Sequence, residues 1–207
     1  MVGRRTKAEQ RAVTTRRLLL AGRDTFAEQG YAETSTEEIV RRAGVTRGAL
    51  YHHFTDKEAL FAAVLADVQR DVARLVEAAA NRESDRWEQL RAGCRAFLEA
   101  SLDPQVQRIM LLDAPAVLGW EAWRRLDAEH AMRLLREGLE TLVGTGVIAP
   151  LPVDALTHLL SGAMNEAALW IAQSARTEES LAKATAALDR LLAGLRQSEP
   201  FGATGGE

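Results

Sequence analysis

The stretch STEEIVRRAGVTRGALYHHFTDK, residues 35–57, decides how the chain around it folds. Ser35 and Glu38 have the spacing of a capping box, which predicts the start of a helix. Gly44 stands where this helix ends, because glycine adopts the left-handed conformation of a helix C-terminus without strain. Thr46 is well suited to cap a second helix directly after the turn. The stretch therefore predicts two short helices joined by a tight turn.

The second of these helices has one face to bury and one to expose. Leu50 and Phe54 lie four residues apart, so both project from the face that is expected to bury. The opposite face holds an arginine, a glycine, a phenol and an imidazole: Arg47, Gly48, Tyr51 and His52. Small and hydrogen-bonding groups of this kind suit the major groove and its phosphates better than plain solvation. We therefore expect this helix to read DNA.

With its flanks, the stretch resembles a known DNA-binding domain. TFAEQGYAETSTEEIV followed by AGVTRGALYHHFTDKEALF is similar to the N-terminal domain of the TetR (tetracycline-repressor-like) family of transcriptional regulators, over roughly the first sixty residues. The residues at the family's spacing are Phe26, Gly30, Tyr31, Thr36, Ile39, Gly44, Val45, Gly48, Leu50, Tyr51, Phe54 and Lys57. Gly22 and Thr25 depart from the alanine and leucine usual in the family, and we expect them to loosen the first helix only. The remaining chain resembles the family only in length and helical character.

The resemblance implies an all-α protein with a nine-helix TetR-like architecture. Residues 1–56 would form a three-helix helix-turn-helix domain with a basic N-terminal arm, residues 57–197 a helical ligand-binding and dimerisation domain, and residues 198–207 a flexible tail. The implied function is a ligand-responsive transcriptional regulator, foremost a repressor released from a palindromic DNA operator when a small apolar molecule binds the C-terminal domain. The expected DNA-binding residues are Thr36, Thr46, Arg47, Gly48, Tyr51, His52, His53 and Lys57, of which Thr36, Tyr51, His53 and Lys57 match the family's contacts to the DNA backbone.

Charge is divided unevenly along the chain. The net charge of −3 is unusual for a nucleic-acid binder. Residues 1–60, however, hold 11 Lys and Arg against 8 Asp and Glu, which leaves 15 against 21 for the rest. A basic head on an acidic body would present one end to DNA. The basic arm before the first helix, with Arg4, Arg5, Lys7 and Arg11, is either a solvated tail or a source of nonspecific attraction to phosphate.

The sequence favours a cytoplasmic protein with no membrane partner. It has no apolar run long enough to span a membrane and no signal peptide. Cys94 is the single cysteine, which excludes an internal disulfide. Cys94 shares an apolar helix face with Leu90 and Phe97, so a small buried core residue is favoured over a redox sensor.

Helix signals continue to the end of the chain, with nine helices in all. A capping box at Thr55 and Glu58 opens the fourth helix, which is expected to run to about Ala80. Pro104 opens a sixth, and a seventh follows Gly119 and ends at Gly144. If a ligand wedges the body helices apart, the fourth helix would swing and the two reading heads would lose their spacing.

The last two predicted helices, residues 152–173 and 177–197, have apolar faces too wide for one partner. In the TetR family the two C-terminal helices of each chain form a four-helix dimer interface, so the resemblance implies a homodimer. Such a dimer would present two reading helices about 34 Å apart. Burial within one subunit is the alternative. The expected interface residues are Leu156, Leu160, Ala163, Ala167, Leu181, Leu188 and Leu192.

A small-molecule effector would bind in the body, where large apolar side chains could line a pocket and a few polar groups could orient the ligand. The candidates are Met110, Asp113, Trp120, Trp123, His130, Met164 and Asn165. Aromatic and methionine side chains at helical spacing are also ordinary core residues, so a pocket and a plain core both remain open.

Nothing in the sequence predicts catalysis, a metal site or a cofactor. It contains no Gly-rich phosphate loop, no GxSxG and no HExxH. His52 and His53 are adjacent on a helix and point about 100° apart, so they cannot chelate one metal together. Two other functions remain: an enzyme or carrier with a vestigial DNA-binding head, and an architectural DNA binder without a ligand. A vestigial head would have no reason to keep the exposed face that begins at Arg47.

Overall fold

A computed structural model describes residues 6–196. Over this range the chain forms ten α-helices and one π-helical segment, and the only β-bridge is an isolated antiparallel pair, Ile148 with Arg196. The helices are α1 (Lys7–Glu33), α2 (Thr36–Ala43), α3 (Arg47–His53), α4 (Lys57–Ala80), α5 (Arg86–Ala100), the π-helical segment (Val106–Asp113), α6 (Ala114–Leu118), α7 (Trp120–Ala128), α8 (Ala131–Gly144), α9 (Val153–Ala172) and α10 (Thr177–Ala193). The all-α, TetR-like prediction is confirmed. Among these helices, none combines the length and apolarity that crossing a membrane requires.

By their contacts, the described residues form two compact units. The first comprises residues 6–72 and 101–130, and the second comprises residues 73–100 and 131–196. The predicted functional boundary after residue 56 lies inside the first unit and stays a prediction. The predicted flexible tail lies outside the described residues, and so do Arg4 and Arg5 of the basic arm. Lys7 and Arg11 lie in the first turns of α1, which Thr6 caps, so the prediction that they precede the first helix is wrong.

The first unit is built around an aromatic cluster. The ring of Phe26 stacks on Tyr31 and meets Phe61 edge-on, with ring centres 5.8 Å and 5.0 Å apart. Leu18, Phe26, Ile39, Leu50, Leu60 and Phe61 are fully buried and join α1, α2, α3 and α4. Gly22 lets α1 approach α4 closely, because a Cβ there would lie 3.3 Å from a methyl of Val64. The departure at Gly22 therefore serves packing.

The second unit packs α5, α8, α9 and α10 around buried leucines. Leu98, Leu139, Leu142 and Leu192 are fully enclosed. Arg91 in α5 makes a two-pronged ion pair with Asp189 in α10, at 3.1 Å and 3.0 Å, which lowers the pKa of Asp189. Cys94 is buried, and burial raises the pKa of its thiol to about 12. A core role for Cys94 agrees with this environment.

Two predicted helices are divided in the structure. The predicted sixth helix is a π-helical segment followed by α6. The predicted seventh helix breaks between α7 and α8, where the N–H groups of Glu129 and His130 each bond a carbonyl three residues back. These tight bonds end α7 without any glycine or proline, so the sequence holds no ordinary signal for the break. Ten helices rather than nine result.

Candidate nucleic-acid interface

The ends of α2 and the start of α3 are fixed by three local contacts. The Ser35 hydroxyl accepts a hydrogen bond from the N–H of Glu38, and the Thr46 hydroxyl accepts one from the N–H of Ala49, each at 3.2 Å. Gly44 has φ 63 and ψ 39, the left-handed conformation, and its N–H reaches the last carbonyls of α2. The predicted N-caps Ser35 and Thr46 and the predicted glycine stop of α2 are therefore confirmed, while the Glu38 carboxylate of the predicted capping box accepts from the Gln29 amide at 3.0 Å.

The outer face of α3 carries exposed hydrogen-bonding groups. Leu50 is fully buried beneath it, whereas Thr46, Arg47, Gly48, Tyr51 and His52 are exposed. The Arg47 guanidinium lies 5.6 Å from the centre of the Tyr51 ring and 2.9 Å from the Glu37 carboxylate. Hydrogen bonding to Tyr51, and then the charge of Glu37, raise the pKa of Arg47. A cation and a phenol thus stand together on the surface of α3, and their contact with DNA stays a prediction.

His53 sits at the inner edge of this face. Its Nδ1 lies 2.9 Å from the hydroxyl of Thr15 in α1. Partial burial, and then the charges of His52 and Arg11, lower the pKa of His53. A neutral ring results near pH 7, so His53 offers a hydrogen bond rather than a charge.

Lys57 and Thr36 stand where helices begin. The Lys57 ammonium donates to the carbonyls of Tyr31 and Thr34, at 2.8 Å and 3.0 Å, and lies 4.1 Å from the centre of the Tyr31 ring. The Thr36 hydroxyl donates to the Glu37 carboxylate at 3.2 Å. Two of the three Lys57 donors are therefore engaged within the fold, which leaves one for a phosphate. Contact of either residue with DNA stays a prediction.

A second surface, between α9 and α10, is apolar. A groove of about 430 Å³ runs along it, lined mainly by alanines and large apolar side chains: Leu98, Ala163, Met164, Ala167, Trp170, Ala184, Ala187, Leu188 and Leu191, with Lys183. Leu159 and Leu191 are 71% and 61% exposed. We call this face the α9–α10 surface.

The predicted interface residues divide into two groups. Leu160, Leu188 and Leu192 are buried within their own chain, while Ala163 is exposed and Leu156, Ala167 and Leu181 are half-buried. The most exposed large apolar side chains on these helices are Leu159, Trp170 and Leu191, which lie on the predicted apolar faces but are not among the expected interface residues. Helical periodicity identified the apolar faces correctly but could not divide each face between its own core and an outside partner.

Comparison with known proteins gives matches to both parts of the chain. Residues 18–64 match the model of bacterial regulatory proteins of the tetR family, and residues 87–195 match the model of the tetracyclin repressor-like C-terminal domain. A TetR-family transcriptional regulator from Pectobacterium atrosepticum is 40% identical, covers 94% of this chain and 99% of its own, and superposes with a TM-score of 0.78. The chain belongs to the TetR family. It is a DNA-binding transcriptional regulator, and its helix-turn-helix is α2–α3.

Two curated TetR-like regulators match a shorter part of this chain. The transcriptional repressor BepR of Brucella suis is 47% identical over 62 residues, which are 30% of this chain and 29% of BepR. The transcriptional activator FasR of Mycolicibacterium smegmatis is 39% identical over 85 residues, 40% of this chain and 37% of FasR. These matches do not extend to the full length of either relative.

The residues predicted to bind an effector have several different environments. In the first unit, Trp123 is 3% exposed and its indole N–H donates to the Met110 carbonyl at 2.9 Å, whereas Trp120 is 67% exposed. Asp113 accepts hydrogen bonds from the N–H of Tyr31 and from Arg108. His130 has its Nδ1 3.0 Å from the carbonyl of Leu126. Met164 in the second unit lines the groove of the α9–α10 surface.

Two buried amides lack hydrogen-bond partners among the described residues. Asn165, in the second unit, has neither its Oδ1 nor its Nδ2 paired. Gln69, in the first unit, is 2% exposed and has both amide atoms unpaired as well. Buried polar groups are nearly always satisfied, so each marks a place where a polar partner would be stabilising. Gln69 was not predicted, because a glutamine on an otherwise apolar stripe gives no sign of its burial.

Proposed function

We propose that this TetR-family regulator is a repressor that binds a palindromic operator as a homodimer and is released by a small apolar effector. The observation that carries the proposal is the exposed face of α3, where Arg47, Tyr51 and His52 stand free of the core beside Gly48. Leu50 on the opposite side of α3 is the residue that anchors the helix in the core. The exposed face can therefore enter a major groove without any change in the packing of the domain.

Base reading is assigned to Arg47. Its guanidinium can meet the O6 and N7 of guanine with two hydrogen bonds. Glu37, which accepts from Arg47 at 2.9 Å, is itself exposed, so the pair can open at little energetic cost. Thr36, Thr46, Tyr51, His52, His53 and Lys57 would hold the helix on the phosphates and neighbouring bases.

Dimerisation is assigned to the α9–α10 surface. Leu159, Trp170 and Leu191 present large exposed apolar side chains, and the alanines between them allow a second backbone to approach. A two-fold axis through this surface would bring the same residues of two copies together. Two reading helices held in one assembly bind two half-sites far more tightly than either binds alone.

Effector binding is assigned to the body. The unpaired amide of Asn165 in the second unit favours a ligand that is mainly apolar but has a group that donates or accepts a hydrogen bond. Repression is the favoured direction because a bound dimer can block polymerase by occupancy alone. Activation would need a further surface that contacts the polymerase. We further propose that the protein acts in the cytoplasm, where its operator lies.

The experiment is a selection of bound fragments from the genome of the source organism, followed by gel-shift assays. We expect enrichment of one inverted repeat and its release by some members of a panel of apolar acids, phenols and hydrophobic drugs. Failure of the wild-type protein to retain any fragment would contradict the proposal for DNA. Retention without release by any compound would favour an architectural DNA binder.

A further inference from the structure

Helix α1 breaks at Gly30, and the turn after the break is capped from a distant part of the chain. Gly30 has φ 81 and ψ 167, so the next residues begin a new helical turn whose first N–H groups need partners. The N–H of Tyr31 donates to the Asp113 carboxylate, with 2.7 Å between N and Oδ2. A carboxylate is favourable at the start of a helical turn because it accepts a hydrogen bond and opposes the helix dipole. Asp113 therefore acts as an N-cap supplied by another segment.

The capped turn lies directly before the helix-turn-helix. The carbonyl of Tyr31 accepts a hydrogen bond from Lys57, the first residue of α4. The Thr34 hydroxyl donates to the Gly30 carbonyl at 2.7 Å, and Thr34 immediately precedes the N-cap of α2. The position of Tyr31 therefore influences where both α2 and α4 begin.

Asp113 reaches Tyr31 from the last position of the π-helical segment. Asp113 also pairs with Arg108, five residues earlier, with 3.2 Å between Nε and Oδ2. Residues five apart in an α-helix point about 140° away from each other, whereas i→i+5 bonding places them close together. The Arg108 guanidinium in turn covers Gly30 so closely that any Cβ there would overlap it. The contacts on both Gly30 and Tyr31 thus depend on the π register.

The π-type hydrogen bonding stops at Pro115, and the Trp123 indole replaces the bond that is missing there. The N–H of Ala114 donates to the carbonyl of Ile109, five residues back. The next bond of this kind would join residue 115 to Met110, but Pro115 has no N–H. The Trp123 indole donates to the Met110 carbonyl in its place. In an α register Ala114 would donate to that carbonyl, so the indole bond favours the π register.

We propose that Asp113 is a positioning residue for DNA binding, held on Tyr31 by the π register of Val106–Asp113 and its closure by Trp123. The proposal rests on the proposed function of α3. A change to the α register would rotate Asp113 by an angle on the order of 100° about the helix axis and withdraw its carboxylate from Tyr31. The turn that precedes α2 would then lose the hydrogen bond between Asp113 and the Tyr31 N–H. Asp113 and Trp123 thereby gain a role beside the ligand contact predicted from the sequence, which stays a prediction.

The test measures hydrogen exchange of the Tyr31 amide by NMR in the full chain, relative to the Phe26 amide of the same helix. We expect Asp113→Ala and Trp123→Phe each to accelerate Tyr31 exchange about ten- to hundredfold, the cost of losing one hydrogen bond to a charged acceptor. Trp123→Phe is the sharper variant, because the indole bonds the Met110 carbonyl and makes no hydrogen bond to Tyr31. Asp113→Asn keeps an acceptor and should restore much of the protection.

Controls separate register from general stability. Glu121→Ala removes an exposed carboxylate two residues from Trp123, so it should not change Tyr31 exchange. Pro115→Ala removes the ring that would clash with the Leu111 carbonyl in an α register, and it does so without opening the core. It should therefore accelerate Tyr31 exchange even if Trp123→Phe folds poorly. Equal acceleration at Phe26 and Tyr31 would overturn the proposal, as would unchanged Tyr31 exchange in both Pro115→Ala and Asp113→Ala.

Operator affinity gives the functional half of the test. On fragments retained by the wild type, Asp113→Ala should bind about tenfold more weakly, and Asp113→Asn should recover part of that loss. A wild-type protein that retains no fragment contradicts the proposed function, while the exchange experiment still decides the register. A wild type that binds, with Asp113→Ala binding equally well, overturns the positioning role alone.

Discussion

The outer face of α3 and the α9–α10 surface are both exposed, yet their chemistry is opposite. The α3 face offers a guanidinium, a phenol and an imidazole around Gly48, and its large apolar residue, Leu50, is buried beneath. The α9–α10 surface leaves Leu159 and Leu191 in the open. Polar groups on α3 are well solvated in water and can form hydrogen bonds and ion pairs with a charged partner. Exposed leucines, in contrast, are stabilised when another apolar face covers them. Burial within one chain explains neither surface, and each indicates a different kind of partner.

The largest effect is expected when the apolar surface is given a charge. Leu191→Glu would place a carboxylate in the groove, where a second copy would have to bury it unpaired. We expect a folded monomer whose operator affinity is reduced by about a hundredfold or more, because the two half-sites are no longer held together. Sedimentation velocity and gel shift measure the two consequences.

The matched control is Ala182→Glu, an exposed position on α10 outside the groove. It should leave both assembly and DNA binding intact. Leu188→Glu is a poorer test, since Leu188 is only 8% exposed in the single chain and a charge there would threaten folding itself. A dimeric Leu191→Glu variant would exclude the α9–α10 surface as the interface.

A smaller effect is expected when the polar surface loses its arginine. Arg47→Ala should reduce operator affinity by about 1 to 3 kcal/mol and relax base preference at one position of each half-site. Stability should hardly change, because the Arg47–Glu37 pair is exposed. Fluorescence anisotropy on a set of operator variants gives the affinity at each base.

Arg41→Ala provides the control for charge alone, since Arg41 is an exposed arginine on α2 paired with Glu38. It should weaken all sequences slightly and leave base preference unchanged. Should Arg47→Ala keep the full base preference of the wild type, the assigned orientation of α3 in the groove would be wrong.

Lys57 tests whether a residue can serve both the fold and DNA. Removing its ammonium leaves the carbonyls of Tyr31 and Thr34 without that donor, so Lys57→Ala should lower the free energy of unfolding by about 1 to 2 kcal/mol. Loss of one phosphate contact should also weaken all DNA sequences evenly and flatten the salt dependence by about one unit. Urea unfolding and binding at several salt concentrations separate the two effects. A flatter salt dependence without any loss of stability would mean that the carbonyl contacts contribute nothing.

The smallest effect concerns pH. The folded-state pKa of His53 lies below its ordinary value of 6.5, with burial as the largest cause. Between these two values the unfolded chain binds a proton that the folded chain does not, so stability rises with pH across this window and falls as the pH drops below about 6.5. His53→Gln should therefore flatten the fall in melting temperature between neutral and mildly acidic pH. Parallel pH profiles for the variant and the wild type would contradict the lowered pKa.

The same two surfaces show what a sequence can reveal. The bounds of α2 and α3 could be predicted because the contacts that set them are local. Ser35 and Thr46 lie three residues from the N–H groups they cap, and Gly44 is the C-cap of its own helix. On α9 and α10 the sequence predicted apolar faces, but the division between Leu188, which is buried, and Leu191, which is exposed, depends on how helices pack against one another. That information is not local.

The segment between residues 101 and 130 was the least predictable part of the first unit. Pro115 and Gly119 correctly signalled an interruption, but the π register depends on the Trp123 bond to Met110, which a helical pattern does not reveal. Likewise, Asp113 was predicted as a ligand contact from its residue type alone. Its bond to Tyr31, 82 residues away, arises only in the folded chain.

The most direct measurement is a selection of genomic fragments by the wild type and by Arg47→Ala in parallel. We predict that the wild type enriches one inverted repeat whose half-site centres lie about 10 base pairs or a multiple apart, and that Arg47→Ala loses preference at the same base of both half-sites. Enrichment of a single, unpaired site, or an identical repeat selected by both proteins, would contradict reading by two copies of α3.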